Sequence, residues 1–185
     1  MKHGDQQLGA PLALAGLGRT VRDVEIPLSG LGKGVAAPAD VYLGNYIGYE
    51  FTTNDTVYHS TEMPYDWDES TDLLIEIHWY IDEAVGTPNK EIAWEVYYTA
   101  TKEDGTEAVN SGSATVASGD IVIPTLAKSL TQTTFAIPLA ALEHDDVIGI
   151  IIKRVAIADG SAPTAKPVIV GAMLEYTVHS LGKAI

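Results

Sequence analysis

The 185-residue sequence has no cysteine, which excludes disulfide staples, thiolate nucleophiles and cysteine-ligated zinc or iron-sulfur sites. Packing, with or without oligomerisation, must hold the fold. Basic residues are scarce: 11 Lys and Arg stand against 25 Asp and Glu, a formal net charge of -14. That balance opposes a broad approach to a phosphate backbone, so no direct nucleic-acid contact is expected. It favours a locally basic or less acidic docking surface. Long apolar runs are missing as well. None approaches the roughly 18 residues of a membrane-spanning helix, and no membrane partner is expected. The apolar patch near the N-terminus follows Asp5 and is broken by Pro11, Gly16 and Gly18, so it is not expected to act as a signal peptide. No glycine-rich loop is followed by Lys-Ser or Lys-Thr, which removes the usual phosphate cradle.

What is present is a pair of aromatic segments with strict alternation. In DLLIEIHWYI, Leu73, Ile75, Ile77, Trp79 and Ile81 fall on one face and Glu76, His78 and Tyr80 on the other, as side chains alternate along a strand. In EIAWEVYYTA, Ile92, Trp94, Val96 and Tyr98 share a face, with Glu95 and Tyr97 opposite. A helix would spread these apolar residues around its circumference. Further strands are expected at Val41–Phe51, Asp55–His59, Leu130–Leu139, Val147–Ile157 and Val168–Val178, separated by turns rich in Gly, Pro and Asp. Val147–Ile157 is apolar on both faces and is expected to be covered on both sides. The apolar face of the last strand is read as Val168, Val170, Ala172, Leu174, Tyr176 and Val178.

With about eight antiparallel strands, unequal connections and almost no helix, the fold class is all-β, a jelly-roll type β-sandwich. The domain is expected over residues 41–185, preceded by an extended N-terminal arm over residues 1–40. The arm has no steady period, but its Leu, Val and Ile residues would gain from burial. Val21, Val24, Ile26 and Leu28 are the candidate partner-binding residues, adding as a strand to a neighbouring sheet. On this reading, deletion of residues 1–34 leaves a folded domain that no longer docks.

Candidate chemistry is thin. Glu76, His78 and Tyr80 form an outward patch, joined by Glu95 and Tyr97 if the two aromatic strands pair directly. A carboxylate beside a histidine can serve as an acid-base pair, yet no nucleophile or oxyanion-hole motif accompanies it, so an interface patch is the better reading and a hydrolase using His78 and Glu76 the weaker. Asp66, Asp68, Glu69 and Asp72 cluster in one loop without the spacing of a calcium-binding loop, and read as a solvated acidic segment. His144, Asp145 and Asp146 read as turn residues. Trp79 and Trp94 belong to core faces, which leaves Trp67 as the loop aromatic available to stack on a sugar. No catalytic residue, cofactor or metal site is expected.

The succession of IHWY (Ile77–Tyr80), WEVYY (Trp94–Tyr98), FAIPLAAL (Phe135–Leu142), DDVIGIIIKRVAIADG (Asp145–Gly160) and VIVGAMLEYTV (Val168–Val178) resembles the jelly-roll virion proteins of tailed bacteriophages, the head decoration or cement proteins in particular. The resemblance spans Trp67–Val178 and is a pattern of strands and turns. It implies a non-enzymatic homo-oligomer, commonly a homotrimer, on the outer capsid surface of the virion, clamping the major capsid protein. Similar domains occur in tail fibres and baseplates, and a glycan-binding β-sandwich module of that kind is the alternative.

Overall fold

The computed structural model describes residues 20–109 and 113–178. They build eleven strands: β1 (Thr20–Ile26), β2 (Gly32–Lys33), β3 (Ala39–Leu43), β4 (Tyr46–Glu50), β5 (Thr56–Glu62), β6 (Leu73–Ile81), β7 (Glu91–Lys102), β8 (Ala114–Val122), β9 (Thr131–Ile137), β10 (Asp146–Val155) and β11 (Pro167–Val178). Helical structure among the described residues is confined to short 3₁₀ turns at Leu28–Gly30 and Leu139–Ala141.

The strands form an antiparallel sandwich of jelly-roll type. The larger, six-stranded sheet has the order β3-β4-β11-β6-β9, with β1 also beside β11; the smaller, five-stranded sheet has the order β2-β5-β10-β7-β8. From β8 onward the chain alternates between sheets, so each hydrophobic face is closed by distant sequence. The core lies between the two inner faces. Ile75, Ile77 and Trp79 of β6 meet Trp94, Val96, Ile148, Ile150 and Ile152 from the smaller sheet, all buried.

The two aromatic strands are therefore not a hairpin. β6 and β7 sit in opposite sheets, and Trp79 and Trp94 tilt against each other across the core at 6.3 Å between ring centroids. Trp94 also takes the edge of Phe51 at 5.3 Å, a favourable aromatic geometry. Trp79 Nε1 donates to Thr133 Oγ1 at 2.9 Å.

Three features of the strands differ from the sequence reading. The segment Val41–Phe51 is a hairpin, β3 and β4, closed at Gly44 and Asn45 with Gly44 at φ +59°, a left-handed conformation that glycine adopts without steric cost. Gly48 allows β4 to approach β11 closely: a Cβ there would lie 2.3 Å from Val168 Cγ1. In β11 a bulge between Ile169 and Gly171 shifts the alternation, so Ile169 rather than Val170 enters the core beside Ala172, Leu174, Tyr176 and Val178. Finally, β10 is buried on its inner face only; Val147, Gly149, Ile151 and Lys153 are partly exposed.

The boundary expected at residue 40 falls inside the sandwich. β1 pairs with β11 of the same chain over Thr20–Ile26, and β2 pairs with β5. Ile26, 3% exposed, and Leu31 belong to the core cluster. The edge that accepts the apolar segment Val21–Leu28 is thus the chain's own, because β11 offers an open flank beyond the point where β4 leaves it at Ile169. Residues 1–19 lie outside the described residues.

Candidate functional site

The sandwich separates the residues expected to form one patch. Glu76, His78 and Tyr80 lie on the outer side of the larger sheet, and Glu95 and Tyr97 on the outer side of the smaller one, with the core between. Glu76 is buried and accepts hydrogen bonds from Gln132 Nε2 at 2.7 Å and Thr134 Oγ1 at 3.2 Å. His78 Nε2 stands 3.8 Å from its carboxylate, beyond hydrogen-bond reach. One cross-strand pair brings charge of the same sign together, Glu175 of β11 facing Asp23 of β1, whereas Glu76 faces the uncharged Met173. Burial holds the Glu175 carboxyl above the usual range, with Glu76 and Asp23 adding to it. Tyr80 is buried, and desolvation followed by Asp82 and Glu50 raises its phenol. The arrangement is a packed acidic surface whose most buried carboxylate already has its donors.

Of the arm residues, Ile26 is in the core and Leu28 packs against it, so neither is free to reach a partner. Val21 and Val24 remain exposed on β1. Arg22 ties the strand to the acidic loop through Asp66, 2.6 Å away.

The acidic loop disperses its carboxylates. Asp68 accepts from the backbone N–H and hydroxyl of Ser70, Asp72 accepts from Leu139 N at 2.9 Å, and Glu69 pairs with His144 at 3.0 Å. Among the described residues no group of three His, Asp or Glu converges as a metal would require. Trp67 is only 1% exposed. Its ring meets that of His144 edge-on at 5.8 Å, and its backbone bridges to Val178. The expectation of an open stacking platform at Trp67 is corrected: the loop folds inward because an indole recovers more by burial than a loop conformation costs. His144, read as a turn residue, lies in a turn and is the partner of both Trp67 and Glu69.

Two surfaces that the sequence reading did not assemble group apolar and aromatic side chains at the exterior. One is the β3–β4 hairpin, where Tyr42, Tyr46 and Ile47 are 73%, 64% and 53% exposed. Tyr42 and Ile47 are direct cross-strand partners, and β3 is an outer edge of the larger sheet. The Leu-Gly-Asn-Tyr string, two turn residues flanked by apolar ones, is the signal that marks this hairpin. The other surface is a trough on the outer side of the smaller sheet, lined by Tyr58, Ser60, Tyr97, Thr99, Gly149 and Ile151 with a cavity of about 680 Å³. No sequence signal reveals it, since its rows are assembled from β5, β10 and β7 by register.

No protein-family model and no curated protein matches the chain. Among solved structures it is similar to a family 29 carbohydrate-binding module from Piromyces equi, at 10% identity and a TM-score of 0.44 over 85% of this chain and 91% of that one. It is similar also to the CBM36-1 domain of a multidomain xylanase from the hindgut metagenome of Trinervitermes trinervoides, at 10% identity and a TM-score of 0.40 over 90% of this chain and 100% of that one. A third similar structure is that of infectious bursal disease virus, Gx strain, at 15% identity and a TM-score of 0.39 over 93% of this chain and 37% of that one. At these values the similarities carry no argument about ligand, partner or location.

Proposed function

We propose that the chain is a non-enzymatic structural protein of a bacteriophage virion, a decoration or cement protein bound to the outer surface of a shell of major capsid protein. The resemblance of its strand pattern to that class supports the reading, and one structural observation carries it: the β3–β4 hairpin presents Tyr42, Tyr46 and Ile47 to solvent at an open sheet edge. Soluble proteins blunt such edges with charge, proline or cover. Here the edge strand ADVYL carries a single charge, Asp40, held by Lys33 at 2.8 Å. Tyrosines on a rigid hairpin lose little conformational entropy on docking and make good interface anchors. An acidic body of net charge -14 restricts that docking to a less acidic protein surface and disfavours contact with packaged nucleic acid. The homotrimer implied by the resemblance would multiply the effective concentration of hairpins over a repeating lattice.

The hairpin thus takes the anchoring role first assigned to Val21–Leu28. Electron microscopy of the native assembly should show the sandwich on the shell exterior with the hairpin at the contact. In co-sedimentation with assembled shells, the double variant Tyr42→Ser and Ile47→Ser should keep its thermal transition and lose about a hundredfold in affinity. Unchanged affinity of that variant would overturn the reading.

A further inference from the structure

The trough on the smaller sheet lies on a different surface from the hairpin and has its own chemistry. On its outer side β10 is the middle strand, and the register sets three cross-strand rows: Tyr58–Ile151–Tyr97, Ser60–Gly149–Thr99 and Glu62–Val147–Thr101. The missing side chain at Gly149 opens the centre of the middle row, between two hydroxyls. A second cavity of about 410 Å³ shares Ser60, Thr99 and Gly149 and continues toward Val147 and Thr101. The two join into one channel along β10, some 13 Å from Val147 to Ile151 at the strand rise. The larger cavity alone falls within the roughly 300–1,000 Å³ of small-molecule sites.

Both rings bordering the trough are held in place by the protein. Tyr58 rests against Gly34, where any Cβ would come within 2.5 Å of Tyr58 Cε2. The Tyr97 hydroxyl donates to Glu95 Oε2 at 2.6 Å. The Lys153 ammonium stands over the Tyr97 ring at 5.8 Å from its centroid, and the register puts Lys153 beside Glu95, on the opposite side of Tyr97 from Gly149. The side of Tyr97 toward the trough is left for a ligand. Neither Ser60 Oγ nor Thr99 Oγ1 makes a hydrogen bond to protein among the described residues.

We infer that this trough is a binding site for a neutral oligosaccharide chain. A sugar ring offers an apolar C–H face to an aromatic side chain and hydroxyls to its rim, and the trough supplies rings in one row and hydroxyls in the next. The spacing fits an extended ligand: Tyr58 and Tyr97 stand two strand intervals apart, about 10 Å, on either side of Ile151. Charge disfavours an anionic chain, since the third row ends in the exposed Glu62. Lys153 is matched by its cross-strand partner Glu95, and the net charge of -14 repels polyanions. A peptide added as a strand is disfavoured, because β10 already pairs with β5 on one side and β7 on the other.

The test uses the full chain in affinity electrophoresis through gels containing hydroxyethyl cellulose, mixed-linkage β-glucan, galactomannan or xylan. At least one polymer should retard it. Gly149→Val should abolish the retardation and leave the fold intact, since a Cβ at Gly149 meets nothing nearer than the Thr99 carbonyl oxygen at 3.9 Å. Tyr58→Ala and Tyr97→Ala should each weaken binding about tenfold. Gly34→Ala should weaken it by displacing the Tyr58 ring. Trp67→Phe should leave it unchanged. Absence of retardation by all four polymers would overturn the inference, as would retardation that survives Gly149→Val. Sedimentation velocity supplies a further refutation: if Gly149→Val dissociates an oligomer, the trough is a contact between copies of the chain.

Discussion

The two sheets are alike where they face each other and differ in what their outer sides group together. Inside, each contributes a tryptophan to the same contact, Trp79 from β6 and Trp94 from β7. Outside, the larger sheet carries Asp23, Glu76 and Glu175 around β11, while the smaller carries Tyr58, Ile151 and Tyr97 around a gap at Gly149. Burial of the inner faces needs only apolar area of the right volume. The outer faces have no such common requirement, and their difference is where function is expected to reside.

The largest expected effect asks whether β1 is intrinsic to the larger sheet or an arm that the sheet can spare. Removal of residues 1–34 takes Ile26 and Leu31 out of the core, about 3–6 kcal/mol from the two side chains alone, and uncovers the β11 flank. Chemical denaturation should show a strongly destabilised or unfolded protein. A truncated chain with an unchanged transition would restore the arm. Next comes the contrast between the two sides of one strand. Trp94→Ala should cost about 3–5 kcal/mol, whereas Tyr97→Ala, on the outer side of the same β7, should cost less than about 1 kcal/mol. Equal costs would mean that the outer side is packed rather than presented.

The smallest effect concerns the acidic side. The folded protein holds the Glu175 proton to higher pH than the unfolded chain, because burial and then Glu76 and Asp23 disfavour its charge. Its penalty on stability is therefore absent below the ordinary value of 4.5, grows as pH rises through the raised one, and is complete above it. Glu175→Gln should raise the melting temperature at pH 7 by about a degree and give no gain below pH 4.5. A gain independent of pH would detach the effect from that carboxyl.

Much of this is legible in the sequence. Period-two alternation assigns the buried faces of β6 and β7 correctly from Leu73 to Tyr98, since a strand has only two sides and one must be apolar. Alternation is silent about which strands pair, and so Glu76 and Tyr97 form one patch only on the condition that β6 and β7 pair directly, whereas the whole core lies between them. One extra residue near Val170 reverses the face of everything before it in β11, and the isolated Gly171 within VIVGAM is the signal that marks such a bulge. Trp67 shows a different limit. A loop tryptophan between Asp66 and Asp68 reads as exposed, but the rim it plugs is built by Val178 and His144, more than 70 residues away in sequence. The trough was illegible for the same reason, its rows existing only once β5, β10 and β7 are in register.

The pairing of Thr20 with Val178 also decides how the protein bears load. Chain entering at β1 and leaving from β11 does so at one corner, so tension between the two ends acts on antiparallel neighbours from the same end of their ladder. The rungs are then strained one after another, like a zip, instead of sharing the force as they would in shear. Thr20 and Val21 would part from β11 first, and Ile26, the buried residue at the far end of the ladder, would part last. Pulled in this way, β1 should peel away at low force as a discrete first event, with the sandwich behind it still closed until Ile26 leaves the core.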